Sequence, residues 1–325
     1  MPERIPAEVS ISEVPMISYL ARRAVGLGLV LFCVVSITFL LARLQPGGPF
    51  DKEKTPPAFV KEELLRRYDL DGSLWSQYTR YLGDLLRGEL RVSFEYRNWT
   101  VEEVIGQQLP ISLQLGAVAF ILATVLGVLL GTLAAMRKDS WLDRGAMLAA
   151  LLAISLPSFI TGPLLIGGFA LSLGWFPVGG WGGLRSIVLP AVCLAAPYVA
   201  YIARLMRNSM LEVLGADYIR TARAKGLSPL GVSGRHALKV ALLPVVTFLG
   251  PLAAHLLTGS IVVESVFSIP GAGSIFVNSI QNRDTFLLCG VVILYCTLLV
   301  LFNLAVDLAY CALDPRIQFS RRNRG

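Results

Sequence analysis

Six apolar runs, each about as long as a bilayer is thick, constrain this chain more than any other feature. They fall at residues 24–44, 113–136, 146–173, 187–206, 241–263 and 286–313. In hydrocarbon every backbone N–H and C=O needs a partner within the protein, so runs of this length read as helices. The expected fold is an all-α integral membrane protein with six transmembrane helices. Composition agrees: the 325 residues are 54% hydrophobic and 16% charged, with a mean hydropathy of +0.63, whereas soluble domains carry about 25% charged residues. The first run is long enough to span and has no small-residue cleavage site behind it, so it reads as a helix and not as a removable signal.

Charge sets the orientation. Arg137, Lys138 and Arg144 lie between the second and third runs, and Arg204, Arg207, Arg220, Arg223, Lys225, Arg235 and Lys239 at or after the end of the fourth. Arg316, Arg321, Arg322 and Arg324 follow the sixth. The opposite short loops hold only Arg185 and Arg283. Basic short loops stay in the cytoplasm, which puts both termini there. The net charge of +7 is thus spent on orientation, and no clustered face points to nucleic acid.

Residues 1–44 then form a cytoplasmic N-terminus and first span, 45–112 an extracytoplasmic segment, and 113–325 the remaining spans. The segment 45–112 carries nine basic and eleven acidic residues. Long loops translocate regardless of charge, so it does not disturb the orientation. Its Pro46-Gly47-Gly48-Pro49 turn and amphipathic stretches at 57–68 and 74–86 predict a small helical domain. Partner docking, gating of an entrance and a passive cap on the helix ends are all compatible with it.

Prolines interrupt three runs: Pro157 and Pro163, Pro190 and Pro197, Pro244 and Pro251. Gly127 and Gly131 form a small-x-x-x-small pair in the second. Such residues allow kinks and close helix approach, in transporters and in other membrane proteins alike. The cysteines Cys33, Cys193, Cys289, Cys296 and Cys311 all lie in apolar runs without metal-ligand spacing and read as small apolar residues.

Catalytic chemistry is thin. The only histidines are His236 and His255, and no zinc-protease or nucleophile-elbow motif occurs. An intramembrane hydrolase pairing His255 with Ser260 competes with a packed or pore-facing His255. A secondary transporter needs midplane carboxylates and internal repeats, and neither is clear here. Ionisable residues in spans invite functional roles. Asp307 either pairs with a basic cytoplasmic residue or lies at the membrane interface. Glu264, at the outer end of the fifth run, is a candidate for a gate or a docking interface.

The fourth and fifth runs are joined by residues 207–240, far longer than most bundle loops. Ser209 and Glu212 have capping-box spacing. Gly215 can stop one helix and Asp217 cap the next, which runs from Tyr218 to Lys225 and is closed by Gly226. Ser228-Pro229 starts a third helix. The short middle helix exposes Arg220, Arg223 and Lys225, with Tyr218, Ile219 and Ala222 on or near one side. A solvated surface helix, a contact with anionic lipid and a protein-docking helix all fit this pattern.

At Tyr218-Ile-Arg-Thr-Ala-Arg-Ala-Lys-Gly226 and His236-Ala-Leu-Lys-Val-Ala-Leu-Leu-Pro244 the chain resembles the coupling segment of bacterial ABC importer permeases of the peptide and nickel branch. Pro46-Gly-Gly-Pro49, Asp69-Leu-Asp71, Gln77-Tyr78, Gly259 to Phe267, Pro270-Gly271, Arg283-Asp284 and Asp314-Pro-Arg316 extend the resemblance along nearly the whole chain. Phe176-Pro-Val-Gly-Gly-Trp181 is similar to the B-type subunit of oligopeptide and dipeptide permeases. Arg220-Thr221-Ala222 replaces the Glu-Ala-Ala of the generic motif, and the stretch from Gly226 to Pro244 is longer than in sugar permeases; both are usual for this branch. Gly88-Glu-Leu-Arg-Val-Ser93 departs from the branch's Gly-Asp-Leu-Gly-x-Ser.

The resemblance implies a multi-pass subunit of the bacterial inner membrane. Its partners are a second homologous permease, two ATPase subunits, an extracytoplasmic substrate-binding protein and the bilayer. It makes 113–325 the permease core, with Asp217, Tyr218, Ile219, Arg220, Thr221, Ala222, Arg223, Ala224, Lys225 and Gly226 as the ATPase-coupling helix. Peptides are the implied substrate, with nickel, glutathione or another small solute as the alternative. ATP and Mg belong to the partner ATPases, and no cofactor is expected on this chain. The nearest approach to a phosphate-binding loop, Gly226 to Ser233, has Val232 where the phosphate-contacting Lys belongs.

Overall fold

The computed structural model describes residues 16–44, 57–96, 98–228 and 231–313. Among them the chain is helical throughout, and its one strand-like pairing is an isolated bridge between Val92 and Thr100. Four helices are long and apolar enough to cross a membrane: α1 (Met16–Leu44), α4 (Val101–Met136), α7 (Leu184–Leu214) and α13 (Thr285–Leu313). Two bent pairs bring the number of candidate spans to six if each pair counts as one.

The first bent pair occupies the third apolar run. α5 (Trp141–Ser155) breaks before α6 (Ser158–Leu165), which continues into a π-helical turn, Ile166–Ser172; the two arms meet at 110°. Pro157 causes the break. It leaves Leu156 in the extended conformation that proline imposes on its predecessor (ψ 117°). The sequence predicts an interrupted run here, but the fold is sharper than a kink. Fifteen residues of α5 extend only about 22 Å, short of the roughly 30 Å hydrocarbon layer.

Three other expectations need correction. The second run does not begin its helix at residue 113. α4 starts at Val101, where Thr100 and Glu103 form a reciprocal capping box. The fifth run is not continuous to residue 263. α10 (Leu243–Leu257) stops at Gly259, whose φ of +92° leaves the helix, and Ser260 caps a separate α11 (Ile261–Val266). The Ser209–Glu212 box does not form. α7 passes straight through it because Met206 and Met210, both fully buried, anchor that turn in the core.

α4 and α7 make the central pair and run parallel. A Cβ at Gly127 would sit 2.6 Å from that of Ile202, and one at Gly131 2.8 Å from that of Met206, with the Ala203 carbonyl closer still. The predicted Gly127–Gly131 pair is thus where the two backbones touch. α10 packs back against α4 through Gly116, whose missing Cβ leaves room for the Leu256 carbonyl.

A second buried cluster lies at the far end, where α4 and α13 begin. The two helices expected in the 45–112 segment are present as α2 (Ala58–Arg67) and α3 (Leu74–Leu86). Tyr81 of α3 is fully buried and stacks on Phe39 of α1 and Phe286 of α13, at 5.7 and 5.8 Å. Asp284 locks the loop before α4 to the start of α13. It accepts from Ser93 Oγ, from the backbone N–H of Phe94 at 2.8 Å and Glu95 at 3.2 Å, and from Leu287 at 3.0 Å. Four cysteines, Cys33, Cys193, Cys289 and Cys296, are free thiols.

Candidate functional site: an exposed helix on a buried base

Where α7 ends, the chain turns through Gly215, whose N–H returns to the Leu211 and Glu212 carbonyls. α8 (Asp217–Ala224) follows. Asp217 is its first residue and not its cap: Ala216 occupies the cap position and its carbonyl accepts from Ile219 and Arg220. The Asp217 carboxylate still suits the positive end of the helix dipole. Lys225 closes the last turn, and Gly226 leaves it at φ +83°, a left-handed conformation open to glycine at little cost.

The two faces of α8 differ sharply. Ile219 and Ala222 turn inward and share a buried cluster with Met206, Met210, Val232 and Ala237. Val232 and Ala237 belong to a second π-helical segment, Val232–Ala237, which leads through α9 (Leu238–Ala241) into α10 at a 50° bend. Asp217, Tyr218, Arg220, Thr221, Arg223, Ala224, Lys225 and Gly226 are all exposed. Arg220 reaches Asp217 at 3.5 Å, but both side chains are largely in solvent, so the pair contributes little. Arg235, His236 and Lys239 are exposed on the adjoining segment and extend the basic surface. Ser228 begins that segment by accepting the Gly231 N–H at 3.2 Å; Pro229 lies outside the described residues.

A part-buried ion pair, unexpected from the sequence, braces α7 close to where it meets α8. Arg207 donates from Nε and Nη2 to the two carboxylate oxygens of Asp143, at 2.5 and 2.7 Å. Asp143 is 2% exposed and also accepts the Asp139 N–H. The bidentate geometry fixes the first turn of α5 to the last turns of α7. An acid in the first turn of a helix is too common a sequence feature to identify such a pair alone.

The other predicted residues fall elsewhere. Glu264 is fully buried. It accepts from Ser112 Oγ of α4 at 2.7 Å and from the N–H groups of Gly273 and Ser274, at 2.8 and 3.2 Å, in the first turn of α12 (Ala272–Gln281). It therefore presents no surface in this chain to a docked protein, and ties three elements together instead. The side chain of Asp307 lies outside the described residues, within α13. Ser260 serves as a helix cap and His255 packs edge-on against Tyr198, so no Ser–His pair forms among the described residues. Among the same residues no cluster of three or more His, Cys, Asp or Glu side chains could hold a metal.

Comparison with known proteins gives a consistent result. The family of binding-protein-dependent transport system inner membrane components matches residues 127–319. The oligopeptide transport system permease protein OppB of Haemophilus influenzae is 44% identical over 306 residues, covering 94% of this chain and 100% of that protein. OppB of Escherichia coli strain K12 is 41% identical with the same coverage. The dipeptide transport system permease protein DppB of Bacillus subtilis is 41% identical over 307 residues, covering 94% of this chain and all of that protein. Among solved structures, a chain of the inward-facing methionine ABC transporter MetNI superposes with a TM-score of 0.55 at 21% identity, covering 65% of this chain and 96% of that one. This last likeness speaks to the fold alone.

Proposed function

The chain belongs to the family of binding-protein-dependent transport system inner membrane components, and on that premise we propose that it forms half of the membrane pathway of an ATP-driven peptide importer. Peptides are favoured as substrate because relatives that match it end to end are named for oligopeptide and dipeptide transport. In this reading the two bent pairs each count as one span, giving six, with both termini on the cytoplasmic side of a bacterial inner membrane. The basic residues between α4 and α5 and around α8 agree with that orientation.

The observation that carries the mechanism is the two-faced α8. Its inner face is anchored by Ile219 and Ala222, and its outer face is free. A partner ATPase that holds the outer face moves a rigid element with it. The motion passes to α7 through the Met206–Met210 contacts and to α5 through the Asp143–Arg207 pair. ATP and Mg reside on the ATPases; this chain supplies no phosphate-binding Lys, since Val232 stands in that position. A second homologous permease completes the pathway, and a substrate-binding protein delivers to the end built by α2 and α3.

Gly226→Glu tests the coupling role. It places a side chain at a left-handed residue and an anion on a basic docking surface. The assembled complex should keep basal ATP hydrolysis and lose at least about tenfold in peptide uptake, the scale of a 1.4 kcal/mol change in coupling. Normal uptake by that variant would remove α8 from the coupling role.

A further inference from the structure

A groove of about 660 Å³ runs between α4, α5 and α7. Leucines of α4, from Leu122 to Leu133, form one wall. On α5 and α7 eight alanines, Ala149 and Ala200 among them, are too small to close the space between the helices. Every lining residue is apolar, so water gains nothing by entering and hydrocarbon fills the groove best. The groove follows α4 for twelve residues, about 17 Å. A helix about 10 Å across would occupy about 1,300 Å³ over that length. The groove offers half of that, which suits a flexible chain better than a helix of a protein partner.

One end of the groove carries charge. Leu133 and Leu142 bracket the turn between α4 and α5, where Arg137, Lys138 and Arg144 are all exposed. Asp139 is the one exposed carboxylate in that turn, since Asp143 is buried and engaged by Arg207. The local balance is therefore positive. Trp141 lines the groove at this end and is 87% exposed, and an exposed indole is at home at the membrane–water boundary. Apolar groove, indole and cations thus follow one another as acyl chain, glycerol and phosphate do in a lipid. Water satisfies the cations singly, but only a molecule with an anionic head and a hydrocarbon tail uses both features at once.

We propose that the groove binds one anionic phospholipid of the cytoplasmic leaflet. An acyl chain lies between α4, α5 and α7, and the phosphate rests on Arg137, Lys138 and Arg144. The site takes from the reading above only that the chain spans a membrane with this turn on the cytoplasmic side. It adds a partner that is neither protein nor substrate. The lipid touches both helices that Asp143 and Arg207 join.

The test uses the complete complex in phosphatidylcholine vesicles. Each preparation contains a trace of phosphatidylglycerol with a photoreactive diazirine on its acyl chain, or phosphatidylcholine bearing the same group. Labelled peptides are mapped by mass spectrometry. In the parent, the phosphatidylglycerol probe should label residues 141–153 and 192–203 at least about tenfold more than the phosphatidylcholine probe, since each cation near the surface favours an anionic lipid about fivefold. Arg137→Gln, Lys138→Gln and Arg144→Gln together should bring the two probes level. Ala149→Phe keeps the charges, projects from an exposed position and should reduce labelling by both probes. Equal labelling by the two probes in the parent overturns the proposal, because a surface wetted by bulk lipid behaves in that way. A preference that persists in the triple Gln variant, or full labelling of Ala149→Phe, overturns it too. So does a groove that neither probe labels; a cross-link from benzoylphenylalanine at Leu126 to the second permease would then name the occupant. None of these results bears on peptide uptake, by which the importer reading is judged.

Discussion

Single residues carry much of the tertiary connection in this chain. Asp143 and Arg207 lie 64 positions apart and join α5 to α7 through a part-buried bidentate pair. Asp143 is the buried partner, and Arg207 keeps part of its side chain in solvent. Asp143→Ala leaves the part-exposed Arg207 without its acceptor and should destabilise the protein by about 1–3 kcal/mol, read as a lower midpoint of thermal unfolding in detergent. Arg207→Ala strands the buried Asp143 carboxylate and should cost more, and the double variant clearly less than the sum of the two. Glu264 shows the limit of reading charge from sequence. Its place in an apolar setting is visible in the order of residues, but its partners are not: Ser112 comes from α4 and two N–H groups from α12. Glu264→Gln keeps an acceptor oxygen and should fold with a modest loss. Glu264→Ala leaves buried donors without an acceptor and should cost about 1–3 kcal/mol more, measured the same way.

At the scale of helices, local grammar predicted much and tertiary packing overruled the rest. Gly215 and Gly226 bracket α8 as the punctuation suggests, because backbone conformation is a local property. Ser209 and Glu212 have equally good local grammar, yet α7 ignores it, since burying Met206 and Met210 outweighs a cap. Pro157 announces a break, but the 110° angle depends on what α6 packs against, which no local signal encodes. The Gly127–Gly131 pair was legible because close approach demands small residues at that spacing. It supplies a direct check. Gly131→Val puts atoms where the Ala203 carbonyl and Met206 already sit, so α4 and α7 should separate. The variant should insert into the membrane normally but give little monodisperse protein on size-exclusion chromatography. Gly145→Val, with open space around its Cβ position, should behave like the parent.

For the whole molecule, hydropathy conveys the number of apolar runs and misses how they are tied together. The chain has two buried clusters, one around α4, α7 and α10 and one joining α1, α3 and the starts of α4 and α13. Asp284 fastens the second, so Asp284→Ala should expose residues 87–96 to trypsin while α7 and α10 stay protected. Equal protection in parent and variant would show that the stacked aromatics suffice. α4 runs through both clusters, with Pro110 between them. Its 36 residues extend about 54 Å, nearly twice the roughly 30 Å of hydrocarbon it has to cross. Pro110 removes one bond from its ladder and marks where the helix can bend. In the proposed importer, a tilt imposed where α4 meets α7 would reach Val101 as a sideways stroke only so far as the turn at Pro110 stays stiff. Opening at one face and rearrangement at the other would then be geared together as one displacement, with Pro110 as the joint that sets how tightly.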